Sequence, residues 1–60
     1  MKPADIALYR TYEGPKHELR RVILITPEKV RFQIVGITQR IPFELPLGKF
    51  AQWARKEAKP

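Results

Sequence analysis

Apolar and β-branched residues crowd into the stretch Leu19 to Ile37, LRRVILITPEKVRFQIVGI, in two runs divided by Thr26-Pro27-Glu28-Lys29. That pattern predicts a β-hairpin around which the chain is organised. Pro27 suits position i+1 of a type I turn, because its fixed φ matches that position. With the turn closed by Thr26 and Lys29, a regular ladder sets Ile25 opposite Val30, Ile23 opposite Phe32 and Arg21 opposite Ile34. This face is almost wholly apolar and is the expected core. The other face pairs Leu24 with Arg31, Val22 with Gln33 and Arg20 with Val35, and is mixed. A slip of one residue would mix both faces, since strand side chains alternate with period 2. In this register Arg20 and Arg31 share the outer face, and Arg21 sits at the margin of the core face.

Flanking segments predict fewer and shorter elements. Asp5 to Tyr12 alternates as a strand, with Ile6 and Leu8 directed to the core. Tyr9 and Tyr12 then lie on opposite faces, one more exposed than the other. Glu13-Gly14-Pro15-Lys16 is a turn, Gly36 marks a bulge or bend, and Thr38-Gln39-Arg40 is a polar connection. Ile41 to Leu45 forms a fourth strand, at an edge or with Pro42 facing outward, because proline cannot donate to a ladder. The segment Pro46 to Lys59 predicts one helix, with Leu47, Phe50, Ala51, Ala54 and Ala58 on its apolar side and Trp53 at the margin. Phe50 and Trp53 read as core in a chain this small.

Sixty residues make one small domain, 1–60, with 43% hydrophobic content. The predicted class is α+β: a small, strongly bent antiparallel sheet of four strands, an SH3-like partial barrel, with a C-terminal helix. A flatter sheet with the helix laid across one face is the alternative. The chain has no cysteine, serine or asparagine. Disulfides and cysteine-based zinc sites are thereby excluded, and the cytoplasm is the expected location. No apolar stretch follows Met1 as in a signal peptide, and none approaches the ~20 residues of a membrane helix.

The order of an Asp5-Ile6 strand, an Arg20-Arg21-Val22 strand, a Val30-Arg31-Phe32 strand and a terminal Phe50-Ala51-Gln52-Trp53-Ala54 helix resembles that of small uncharacterised bacteriophage and prophage proteins with an SH3-like fold. The resemblance implies no established activity, and no functional residue is carried over from it.

Chemistry narrows the function further. Nucleophilic catalysis lacks a serine or cysteine beside the lone His17, and Glu13, His17 and Glu18 are too few and too local for a metal. No glycine spacing makes a phosphate-binding loop. The reading is a non-enzymatic protein with no cofactor and no metal. Twelve Lys and Arg stand against six Asp and Glu, a net charge of +6, which points to a polyanionic partner. The candidate nucleic-acid-binding residues are Lys16, Arg20, Arg21, Lys29, Arg31, Gln33 and Arg40, with DNA or RNA as the partner, held mainly electrostatically. The rival is a phage-type module binding a host or phage protein, with Val22, Leu24 and Val35 as apolar contacts inside a basic rim. A homodimer paired through an open edge strand is a third expectation.

Overall fold

The computed structural model describes residues 1–38 and 40–58. Its strands are β1 (Thr11–Glu13), β2 (Leu19–Ile25), β3 (Lys29–Ile34), β4 (Phe43–Pro46) and β5 (Lys56–Glu57), with one helix, α1 (Leu47–Trp53), between β4 and β5. The sheet is wholly antiparallel, in the order β4-β3-β2-β1-β5. A short 3-10 turn occupies Pro3–Asp5, and Pro15–His17 is a turn with left-handed backbone at Lys16 and His17. The fold is α+β, with five strands rather than the four expected.

The hairpin turn forms at Pro27 and Glu28, where the sequence predicts it. The Thr26 N–H donates to the Lys29 carbonyl at 2.9 Å, and the Thr26 hydroxyl accepts from the Lys29 N–H at 3.0 Å. Thr26 thus satisfies turn amides that would otherwise need water. Ile25 pairs with Val30 and Leu24 with Arg31, as a regular ladder requires. Beyond that point the register shifts: Ile23 is left unpaired as a bulge, and Phe32 pairs with Val22, Gln33 with Arg21 and Ile34 with Arg20. A bulge inserts one extra residue and so exchanges the faces of everything beyond it.

The core face changes accordingly. Val22 is fully buried where Ile23 was expected, and Ile23 is half-buried outside the core cluster. The bulge places valine inside and Arg21 outside, which avoids sinking an unpaired charge. Arg20 moves the other way, onto the core face. Phe32 and Val30 are buried, and Ile25 and Ile34 pack against them as expected.

At the N-terminal end the expected Asp5 to Tyr12 strand shrinks to β1. Tyr9 has left-handed backbone, φ 63°. Its N–H donates to the Val22 carbonyl at 2.9 Å, and the Arg10 carbonyl accepts from the Val22 N–H at 2.9 Å. Two residues thus oppose one, a second bulge. Ile6 still reaches the core, but Leu8 is exposed. The buried Tyr12 hydroxyl accepts from the Ala7 N–H at 2.7 Å and donates to the Asp5 carbonyl at 3.1 Å, fastening this segment to the sheet.

Helix α1 is half its expected length. It covers the core face with Phe50 and Ala51, and Phe50 meets Tyr12 edge-on at 5.9 Å and Phe32 at 5.3 Å. At Ala54 the backbone turns extended, and the chain runs back along β1 as β5. The Arg55 N–H donates to the Glu13 carbonyl at 2.8 Å, and the Ala58 N–H to the Thr11 carbonyl at 2.9 Å. Closing the open edge of β1 outweighs the helix preference of ARKEA. Gly36 lies in the turn after β3 with φ 89°, a conformation glycine takes without strain, while the bulges fall at Ile23 and Tyr9. Gln39 of the expected connection and Lys59 of the expected helix lie outside the described residues.

Candidate nucleic-acid interface

Ladder alternation lays out the outer face in cross-strand rows. Lys56, Glu13 and Leu19 form one row, and the Val35 N–H joins it by donating to the Leu19 carbonyl at 2.9 Å. Thr11, Arg21 and Gln33 form the next. Leu24, Arg31 and Glu44 form the third, and Lys29 pairs with Pro46 beyond it.

The predicted site residues are divided by this layout. Arg21 and Gln33 stand opposite each other, both exposed, at the centre of the face. Arg31 and Lys29 lie on the same face, but Glu44 of β4 engages both. The Arg31 guanidinium donates to Glu44 at 2.8 and 3.1 Å, and Lys29 Nζ lies 3.4 Å from the same carboxylate. These hydrogen bonds, Arg31 first and Lys29 second, hold the Glu44 carboxyl below the usual carboxylate range. Lys16 is exposed in the Pro15–His17 turn, and Arg40 is exposed in the connection between β3 and β4.

Arg20, expected on the outer face, lies on the core face instead. Its side chain is only 16% exposed, with Nε donating to Glu18 at 3.1 Å. Its guanidinium carbon lies 4.8 Å from the Phe32 ring centre and 4.1 Å from that of Trp53. A planar, weakly hydrated guanidinium stacks on aromatic faces in this way, so this cation is structural.

Two depressions on the outer face adjoin Arg21. One, of about 450 Å³, is lined by Tyr9, Arg10, Thr11, Leu19, Arg21, Val35, Glu57 and Ala58. The other, of about 410 Å³, is lined by Arg21, Gln33, Val35, Ile37 and Thr38 among others. Arg21 and Val35 border both, and Arg21 makes no ion pair among the described residues. Arg10 is tied to Glu57 at 3.0 Å. Tyr9, Arg10 and Lys56 are additions that sequence reasoning missed. Tyr9 entered as a plain strand residue, and nothing in its identity signals a left-handed bulge.

Elsewhere, His17 Nδ1 lies 2.8 Å from Glu13, and this contact holds the Glu13 carboxyl below its usual value. No cluster of three His, Cys, Asp or Glu forms among the described residues, so this pair finds no further ligand there. No helix of the described residues is long and apolar enough to cross a membrane. No family model, no curated protein and no solved structure matches the chain.

Proposed function

We propose that the protein is a non-enzymatic nucleic-acid-binding module whose contact surface is the outer face, centred on Arg21. The observation that carries this reading is the setting of Arg21: exposed, without an ion-pair partner among the described residues, and shared by two adjoining depressions. Gln33 beside it offers a donor and an acceptor to a base or sugar, and Lys56 in the neighbouring row offsets the charge of Glu13 opposite it. Lys29 and Arg31 contribute less, because Glu44 neutralises one of the two. The net charge of +6 supplies the long-range attraction. The two bulges support a strongly bent sheet of the SH3-like partial-barrel kind. A cytoplasmic location goes with this partner and with a cysteine-free chain.

The test is fluorescence anisotropy of labelled single- and double-stranded oligonucleotides at two salt concentrations. Dissociation constants of about 10⁻⁴ to 10⁻⁶ M are expected, rising steeply with salt as affinity falls. Arg21→Gln should lower the log–log salt slope by about 0.7 on single strands, or about 0.9 on duplex, for the one phosphate contact removed. Absence of binding to every oligonucleotide at low salt would overturn the reading.

One observation favours the second reading, a phage-type module binding a host or phage protein. Val35, Ile37, Ile41 and Phe43, around the β3–β4 connection, are 49%, 62%, 79% and 49% exposed. Exposed apolar residues gathered at one end of a small domain suit a protein contact. An edge-strand homodimer finds less support. The Leu47 N–H donates to the Glu28 carbonyl, and counting back along that ladder aims the backbone of Glu44 and Pro46 away from β3. A charged residue and a proline blunt that edge.

A further inference from the structure

We infer that Tyr9 is a stacking platform for an unpaired base, and that the ligand of the outer face is single-stranded nucleic acid. The inference rests on the nucleic-acid reading above and deepens it.

The starting observation is strain without a packing return among the described residues. Tyr9 holds φ at 63°, a conformation that disfavours any residue with a Cβ and that glycine adopts freely. Tyr9 is 65% exposed and stands outside the core cluster. The bulge hydrogen bonds use backbone atoms only, so glycine would make them equally well. Lys16 and His17 also have left-handed backbone, but they turn the chain in the Pro15–His17 connection and line neither depression. A local rule broken with no structural gain marks a candidate functional position.

The ring's surroundings name the ligand. Tyr9 borders the depression of about 450 Å³ together with Leu19, Val35 and Ala58, an apolar lining of a size suited to a small planar group. Arg21 stands between this depression and the second, lined by Gln33 and Ile37. One cation between two adjoining hollows matches one phosphate between two successive nucleotides. The Glu57 carboxylate, paired with Arg10, lines the same depression and is an acceptor for a base N–H. A duplex keeps its base faces covered by neighbouring pairs and leaves Tyr9 nothing to stack on, whereas a single strand exposes them.

The experiment compares wild type, Tyr9→Gly and Tyr9→Phe on a labelled oligothymidine of about 12 nucleotides and on a duplex of equal length, a span within known single-strand site sizes. Tyr9→Gly should weaken oligothymidine binding roughly 5- to 150-fold, the loss of one stacked base, with the salt slope unchanged. Duplex binding should not change, Tyr9→Phe should bind as wild type, and the Tm of Tyr9→Gly should equal or exceed that of wild type. If Tyr9→Gly binds oligothymidine as tightly as wild type, the stacking role falls while the nucleic-acid reading stands. Equal losses on single strand and duplex, or a lowered Tm, would show a structural role for the ring and also overturn the inference. If wild type binds neither probe at low salt, both readings fall.

Discussion

Replacing Arg20 by alanine should destabilise the protein far more than replacing its neighbour Arg21. The guanidinium of Arg20 lies over two rings, Phe32 and Trp53, at 4.8 and 4.1 Å. A cation over an aromatic face contributes about 0.5–1 kcal/mol when exposed and about 2 kcal/mol when desolvated. Arg20 is 16% exposed, between these limits, so the two contacts together contribute about 2 kcal/mol. Its aliphatic stem also covers apolar surface, which adds about 0.5–1 kcal/mol. Glu18, 33% exposed, regains water when its partner is removed and adds little. The sum for Arg20→Ala is about 2.5–3 kcal/mol, a large part of the ~3–9 kcal/mol that a domain of this length possesses. For so small a domain that is a drop in Tm of roughly 10–24 °C. Arg20→Lys keeps the charge but loses the plane and should fall between alanine and wild type. Arg21→Ala, on the open face, should stay within about 0.5 kcal/mol of wild type.

Urea denaturation followed by circular dichroism and by Trp53 fluorescence measures both variants on one scale. Trp53 is itself one of the stacked rings, so its emission should also change in folded Arg20→Ala and not in Arg21→Ala. The opposite ranking, with Arg21→Ala the more damaging, would mean a ladder without the Ile23 bulge and would refute the assignment of faces. It would also remove Arg21 from the proposed binding surface.

Gly14→Ala should destabilise by about 1–3 kcal/mol through overpacking, because a Cβ there would overlap the Trp53 ring; a wild-type Tm would show that the ring is not seated against Gly14. Tyr12→Phe should cost about 1 kcal/mol for its hydrogen bonds to Ala7 and Asp5, read by urea denaturation. Burial pushes the Tyr12 phenol above its ordinary value, so the folded state keeps this proton after the unfolded chain has lost it. Stability from Tyr12 is therefore complete below about pH 10 and declines as pH rises beyond it, and the alkaline limb of Tm against pH should be shallower in Tyr12→Phe. The Glu44 carboxyl is held low by Arg31 and Lys29, so its stabilisation is present above the unfolded carboxylate value of about 4.3 and is lost as pH falls through the lower folded value. Glu44→Gln should flatten part of the acid limb, with the share from Glu13 remaining; an unchanged acid limb would mean that the contacts to Arg31 and Lys29 do not persist in solution.

Local chemistry made the hairpin legible. Pro27 and Thr26 specify a turn whatever surrounds them, and Val30 and Phe32 alternate with Arg31 and Gln33, so β3 has one clear inner face. Strand β2 has no such phase. Val22-Ile23-Leu24-Ile25 is apolar at every position, and either alternation buries two of the four. Contacts remote in sequence then decide. Helix α1 brings Phe50 and Trp53 to the end of the sheet where β2 begins, and the bulge at Ile23 lets Val22 enter while Arg20 lies flat on Phe32 and Trp53. The end of α1 was hidden for a related reason. ARKEA suits a helix, and only the unpaired edge of β1 gives it cause to extend. The candidate site was less legible than the fold because its central pair, Arg20-Arg21, is the same residue twice. Composition and charge are identical whichever arginine faces out, so neither can reveal which one lies on the outer face. A single unpaired residue three positions further along the strand makes that choice, giving one arginine to the aromatic core and leaving the next exposed on the outer face.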